Sequence, residues 1–205
     1  LAGTGLPIIE VNRRRETDLF FGVEPDNFGA INQALDHLYQ LGHRQIALIV
    51  GSQNTSTGRK RLEGYRYFLS KHGLPQDPAL IQMGEFTRSF GEKAAQQLLD
   101  QKESHPFTAI FPTSNRLLMG VMQVLRERRM SVPEDLSVIA MDDAEWLEAF
   151  SPAITTVDVA IEEMAALTVD LLLRQIEQGP NQEAPRTYTL STLLRVRNSC
   201  QEINH

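Results

Sequence analysis

The residues with chemistry to offer are few, and most stand where an apolar run ends. The loop GSQNTSTGRK, residues 51 to 60, follows a strand-like run and opens a helix-like one, the setting of a phosphate-cradling loop. Its spacing does not suit a nucleotide phosphate, because six residues separate Gly51 from Gly58 and Arg59-Lys60 stands where Lys followed by Ser or Thr is required. Its hydroxyls, backbone N–H groups and helix N-terminus instead suit hydrogen bonding to a small polar ligand. Asp142 and Asp143 end another run. Neighbours in extended chain point to opposite sides, so the pair is not the facing carboxylate dyad of a hydrolase. Asp142 is expected in a ligand crevice as a hydrogen-bond acceptor, and Asp143 is a candidate helix N-cap. His37, His43, His72, His105 and His205 show no metal-ligand spacing, there is no G-x-S-x-G elbow, and Cys200 has no His arranged with it. No catalytic set, metal or cofactor is expected. The basic runs Arg13 to Arg15 and Arg128-Arg129 read as solvated faces or salt-bridge partners.

These residues must be positioned by an alternation of short apolar runs and amphipathic stretches. Residues 6 to 12, LPIIEVN, predict a strand. Asp26 predicts an N-cap, behind which Ala30, Ile31, Ala34, Leu35, Leu38 and Leu41 recur at helical steps until Gly42. Gln45 to Val50 predicts a buried strand, and Leu62, Tyr65, Phe68 and Leu69 the apolar side of a helix that stops near Gly73. The unit recurs: strand 80 to 83 precedes a helix through Leu99, strand 107 to 111 a helix from Asn115 to Arg128, and strand 137 to 141 the acidic segment DDAEWLEAF. Strand 154 to 158 leads to a helix over 161 to 178 that ends at Gly179 and Pro180, and Thr187 to Val196 predicts one last strand. Unbroken apolar strands alternating with helices imply a doubly wound α/β fold, a parallel sheet covered on both faces. Ligands of such sheets sit at the carboxyl ends of the strands.

Composition narrows the classes further. The chain has 205 residues, 41% hydrophobic and 22% charged, with one Cys and 26 acidic against 20 basic residues for a net charge of −6. A net acidic chain is poorly suited to gripping DNA by itself, because phosphate neutralisation needs clustered Lys and Arg. The lone Cys suits a reducing compartment, hence the cytoplasm, and no apolar run reaches the ~20 residues that span a bilayer. With Leu1 where an initiator Met would stand, the chain reads as a piece of something longer.

Four segments in order, LGHRQIALIVG (41 to 51), TGRKRLEGY (57 to 65), VPEDLSVIAMDD (132 to 143) and SPAITTVD (151 to 158), carry a specific likeness. With their spacing they resemble the effector-binding core of LacI/GalR-type bacterial transcriptional regulators, over nearly the whole chain. The resemblance implies a type I periplasmic-binding-protein-like fold: two similar α/β subdomains, hinged by three crossovers, around a ligand cleft. It maps 1–25 and 159–186 to an incomplete N-terminal subdomain, 26–158 and 187–200 to the C-terminal subdomain, and 201–205 to a tail.

Carried over by position, the resemblance implies effector contacts from Asn12, Thr55, Thr57, Arg61, the aromatic Phe86, Ser114, Asn115 and Asp142. Arg61 and Asp142 would face the ligand across the cleft, one donating to its hydroxyls and the other accepting from them. Asn12 stands where many members have Asp, Ser114 where many have Asn, Asn115 where the next residue is commonly Asp, and Val159 where a sugar-responsive member has Gln. A simple hexose is thereby placed in question, and a nucleoside, an amino-acid-like ligand or a modified sugar is equally open. Met119 and Phe150 match positions of the family's homodimer interface. The implied function is a cytoplasmic, non-enzymatic sensing core, which reaches operator DNA only through a helix-turn-helix headpiece lying before Leu1, without membrane attachment. A periplasmic sugar-binding protein serving a transporter is the alternative on the same fold, and a flavodoxin-like enzyme a third reading.

Overall fold

The computed structural model describes residues 6–14, 19–179 and 184–203; Arg15, Pro180 and His205 lie outside the described residues, as do the ends of the expected first segment and tail. In chain order the elements are β1 (Ile9–Val11), β2 (Phe21–Pro25), α1 (Asn27–Gln40), β3 (Ile46–Val50), α2 (Ser56–Lys71), β4 (Ile81–Met83), α3 (Arg88–Asp100), β5 (Ala109–Pro112), α4 (Asn115–Glu127), β6 (Ser137–Met141), β7 (Thr155–Asp158), α5 (Ile161–Gln178), β8 (Thr187–Leu190) and β9 (Leu193–Arg195). Side-chain caps set the starts of the first four helices. Asp26 Oδ1 accepts from the Gly29 N–H at 2.8 Å, Thr55 Oγ1 from Gly58 at 3.1 Å, Thr87 Oγ1 from Phe90 at 3.2 Å and Ser114 Oγ from Leu117 at 3.3 Å. Each satisfies a backbone donor that has no partner within the helix.

The strands sort into two sheets. The larger runs β4-β3-β5-β6-β7-β9, parallel except for β9, which is antiparallel to β7. Ile46, Leu48 and Val50 pack into one apolar cluster with α1 and α2, whereas Ala47 and Ile49 join another with α3 and α4. Coverage on both faces is why these strands read as continuous apolar runs. The smaller sheet is β1-β2-β8, all parallel, with α5 packed on it. The chain crosses between the sheets after β2, after β7 and between β8 and β9.

Two expectations are corrected, and one element is new. Thr187 to Val196 is not one strand: β8 pairs with β2 and β9 with β7, so 187–190 belong to the smaller sheet rather than to the larger unit. The break at Ser191-Thr192 is held from α1, where Gln33 Nε2 donates to the Thr192 carbonyl at 3.2 Å and to its hydroxyl at 3.0 Å. Residues 201–203 are not a loose tail, because the Gln201 N–H donates to Ser137 Oγ at 3.1 Å and the Ile203 N–H to the Leu41 carbonyl at 2.7 Å. Lastly, β2 is a strand that apolar periodicity did not announce.

His43 fastens this C-terminal segment from inside. It is wholly buried, with Nδ1 2.7 Å from Thr108 Oγ1 and Nε2 3.1 Å from the Gln201 carbonyl oxygen. A carbonyl only accepts, so Nε2 carries the proton and Nδ1 accepts from the Thr108 hydroxyl. Burial pushes the imidazole pKa from 6.5 down to about 4. The unfolded chain therefore takes up this proton before the folded one does. The stabilisation is complete above 6.5 and is lost as pH falls toward about 4. The ring is expected to account for about 2 kcal/mol of acid destabilisation, read as a falling urea midpoint between pH values of about 7 and 4.5. His43→Gln should flatten that part of the profile, and an unchanged slope in the variant would refute the assignment.

Candidate ligand-binding site

At the carboxyl ends of the larger sheet lies a cleft of about 540 Å³. Ser52 and Thr55 reach it from the loop after β3, Glu85, Phe86 and Thr87 from the loop after β4, and Ser114, Asn115 and Arg116 from the turn after β5. Asp142 arrives from the end of β6 and Arg13 from the turn after β1 in the smaller sheet. Thr55, Thr87 and Ser114 are the N-caps of α2, α3 and α4, so three helix N-termini point their partly positive ends at one space. Parallel topology makes this unavoidable, since each helix begins where its preceding strand ends.

Arg61 lies beneath the wall, its side chain 3% exposed. Its Nε donates to Asn27 Oδ1 at 2.8 Å, Nη1 to the Thr113 carbonyl and Nη2 to Asp142 Oδ1 at 3.3 Å. Burial pulls the guanidinium below its ordinary pKa while Asp142 opposes the shift, and an arginine remains charged throughout the physiological range. Asp142 sits in the left-handed region at φ 70°, a conformation that Asp tolerates better than most residues, and its side chain is 25% exposed. One carboxylate oxygen is thus tied to Arg61 while the group borders the cleft.

Phe86 lies against Gly51, where a Cβ would meet three ring carbons at 2.1 to 2.3 Å. Only a glycine at position 51 lets the ring sit there. The Arg13 guanidinium stands over the same ring, 4.7 Å from its centre.

Of the residues expected to touch a ligand, Thr55, Phe86, Ser114, Asn115 and Asp142 border the cleft, and Arg61 underlies it. The hydroxyl of Thr55 is already engaged twice, donating to the Ser52 carbonyl at 2.8 Å and accepting its cap bond. Thr57 and Asn12 are outside the wall: buried Thr57 donates its hydroxyl to the Asn12 carbonyl at 2.9 Å, and Asn12 itself is exposed at φ 63°. That bond joins the two layers, as do Arg14 N–H to Ser56 Oγ at 3.0 Å and Lys60 Nζ to Glu24 Oε1 at 2.5 Å. Asp143 is no N-cap, for Ala144 precedes the 3-10 turn Glu145–Leu147. Asp143 takes Arg197 in a two-point pair at 2.8 and 3.0 Å and accepts from the Thr156 hydroxyl at 2.6 Å. Burial pushes its carboxyl upward, but the Arg197 and Thr156 hydrogen bonds outweigh this and hold it below its ordinary pKa.

Sequence reasoning did not single out Arg13, Glu85, Thr87 or Arg116, and reached Ser52 only as one of the hydroxyls of the loop 51 to 60. Thr87 carried a legible signal as a hydroxyl residue opening a helix, and Arg13 immediately follows a strand end. Arg116 carried none beyond its charge.

Two parallel-strand layers joined by three crossings, with a polar cleft at the strand ends, define a periplasmic-binding-protein-like fold. The profile of the periplasmic binding protein-like domain family matches residues 35–200. The HTH-type transcriptional regulator CelR of Thermobifida fusca is 35% identical over 181 residues, covering 86% of this chain and 51% of that protein. The HTH-type transcriptional repressor CytR of Escherichia coli is 35% identical over 155 residues, covering 76% and 45%. A solved transcriptional regulator CelR–cellobiose complex matches at a TM-score of 0.86 and 33% identity, covering 95% of this chain and 59% of that one. The chain belongs to the periplasmic binding protein-like domain family, and the relatives it matches are HTH-type transcriptional regulators. It spans about half the length of the curated relatives it matches. Among the described residues no helix is long and apolar enough to cross a membrane.

Proposed function

We propose that this chain is the effector-sensing and dimerisation core of a bacterial transcriptional regulator. It binds a small polar molecule, sugar or nucleoside-like, between its layers. The observation that carries the reading is the cleft into which Asp142, anchored by buried Arg61, turns beside Phe86 and three helix N-termini. Effector contacts are assigned to Asp142, Phe86, Ser114 and Asn115, while Arg61 orients Asp142, and Thr55, Thr57 and Asn12 shape the cleft from behind or across it. None of these groups forms a nucleophile with an activating base, so the function is binding without catalysis. Regulation follows from the three crossings: a ligand that bonds better to one arrangement of the layers shifts the population toward it. A coupling of ~1–3 kcal/mol would change operator affinity roughly 5- to 150-fold. Operator DNA would be held by a headpiece outside these residues, in the cytoplasm. Met119, 45% exposed on α4, and Phe150, 36% exposed and tilted against Trp146 at 5.7 Å, offer apolar surface for a homodimer.

The test is calorimetry of the full-length regulator with sugars and nucleosides, before and after Asp142→Asn. A charge-assisted bond is worth ~1.5–3 kcal/mol, so binding should weaken roughly 10- to 150-fold. Unchanged affinity would remove Asp142 from the site and with it the proposed cleft.

A further inference from the structure

We infer that the effector is an anionic polyol, a sugar-like molecule bearing a phosphate ester or a carboxylate. This rests on the proposed sensing function of the same cleft and adds the ligand's charge. Arg13 and Arg116 border the cleft, and among the described residues no ion pair engages either of them. The bordering carboxylates are Glu85 and Asp142, and Asp142 is matched by Arg61 directly beneath it. Counting Arg61, three guanidiniums face two carboxylates, so the cleft carries an excess of positive charge.

The surroundings deepen that excess. The N-termini of α2, α3 and α4 add partial positive charge on the same side. Arg13 is held over Phe86 at 4.7 Å, which fixes a planar donor fork at the wall before any ligand arrives. Guanidinium forks match phosphate and carboxylate oxygens at two points.

The remaining polar groups call for hydroxyls. Asn115 presents a buried Oδ1 that has no hydrogen-bond partner, and Asp142 accepts only. Both need donors, which a bare inorganic anion at neutral pH supplies poorly and a sugar's hydroxyls supply well. Phe86 borders the same cleft and gives apolar surface on which the C–H groups of a sugar ring can pack. One molecule answers all three demands when it carries hydroxyls, a C–H face and an anion.

The experiment is calorimetry on the regulator at its natural length, using ribose against ribose 5-phosphate, glucose against glucose 6-phosphate and glucuronate, and inorganic phosphate alone. At least one anionic form should bind about tenfold or more tighter than its neutral parent, with the ester and uronate arms separating the two anions. Arg13→Gln with Arg116→Gln should bring that ratio toward one, by weakening the anionic form far more than its neutral parent. Raising salt to about 0.5 M should weaken the anionic form selectively. A neutral parent that binds as tightly as its anionic forms, and is weakened by Asp142→Asn, overturns the inference and leaves the sensing function standing. Inorganic phosphate binding as tightly as the esters overturns the polyol. Silence of every compound counts against both the inference and the function beneath it.

Discussion

Replacing Arg61 with Met is expected to lower the unfolding free energy by about 3–5 kcal/mol, because it leaves buried polar groups without their partner. The guanidinium serves Asn27 Oδ1, the Thr113 carbonyl and Asp142 Oδ1 together, from a side chain 3% exposed. Asn27 and Thr113 are wholly buried, so water cannot take over. Asp142 is 25% exposed and can rehydrate in part, which places the result toward the lower end of the range. Arg61→Lys should recover little, since one ammonium on a flexible stem cannot reproduce a planar fork that reaches three acceptors. Urea denaturation of the three proteins reads the effect. A Met variant as stable as the parent would show that the buried network is dispensable. The same variant should lose ligand affinity at Asp142 even where it remains folded, because the carboxylate would no longer be oriented.

Gly120→Val is expected to cost about 3 kcal/mol, through overpacking at a contact where nothing can rotate aside. A Cβ at Gly120 would stand 2.4 Å from the Arg88 carbonyl oxygen and 2.4 Å from the Glu92 nitrogen; one at Gly91 would stand 2.4 Å from the Leu117 oxygen. All of these are backbone atoms. The two glycines let α3 and α4 approach closely, and a side chain at either must push the helices apart. Thr87 and Ser114 cap these same two helices, so separation also displaces two walls of the cleft. Thermal unfolding should show a fall of roughly 6–12 °C for a chain of this size. Adding Gly91→Ala should cost less in the Gly120→Val background than alone, because the helices are already separated. Full additivity of the two changes would argue that the glycines do not share one contact.

Much of the fold was legible because its signals are local. Apolar steps of three and four residues located the apolar faces of α1, α2 and α3, and Asp26 announced its cap through a side chain three residues from its partner. β3 and β6 were legible as unbroken apolar runs, since each is covered on both faces. β2 was not, for FGVEP carries Gly, Glu and Pro, and its place follows from pairing with β1 and β8 rather than from its own pattern. The break between β8 and β9 was hidden for the same reason, because TYTLSTLLR keeps strand-like composition across the crossing.

The site divides along the same line. Arg61 and Asp142 were singled out as a matched donor and acceptor, and they do meet, but in a direct pair with Arg61 buried below the cleft. Arg13 read as a solvated charge, and proximity to Phe86 across 73 positions of chain makes it part of the wall. Asp143 read as a cap, and Arg197 claims it from 54 residues away.

From its sequence alone this protein was determined as an α/β chain of LacI-type likeness with polar strand-end loops, because periodicity, capping and motif order are all written between near neighbours. Only the tertiary structure decided which sheet each strand joins, which arginine is buried beneath the cleft and which borders it. Those outcomes depend on the desolvation and pairing of groups brought together from distant positions, and no local pattern encodes how much water a charge will keep.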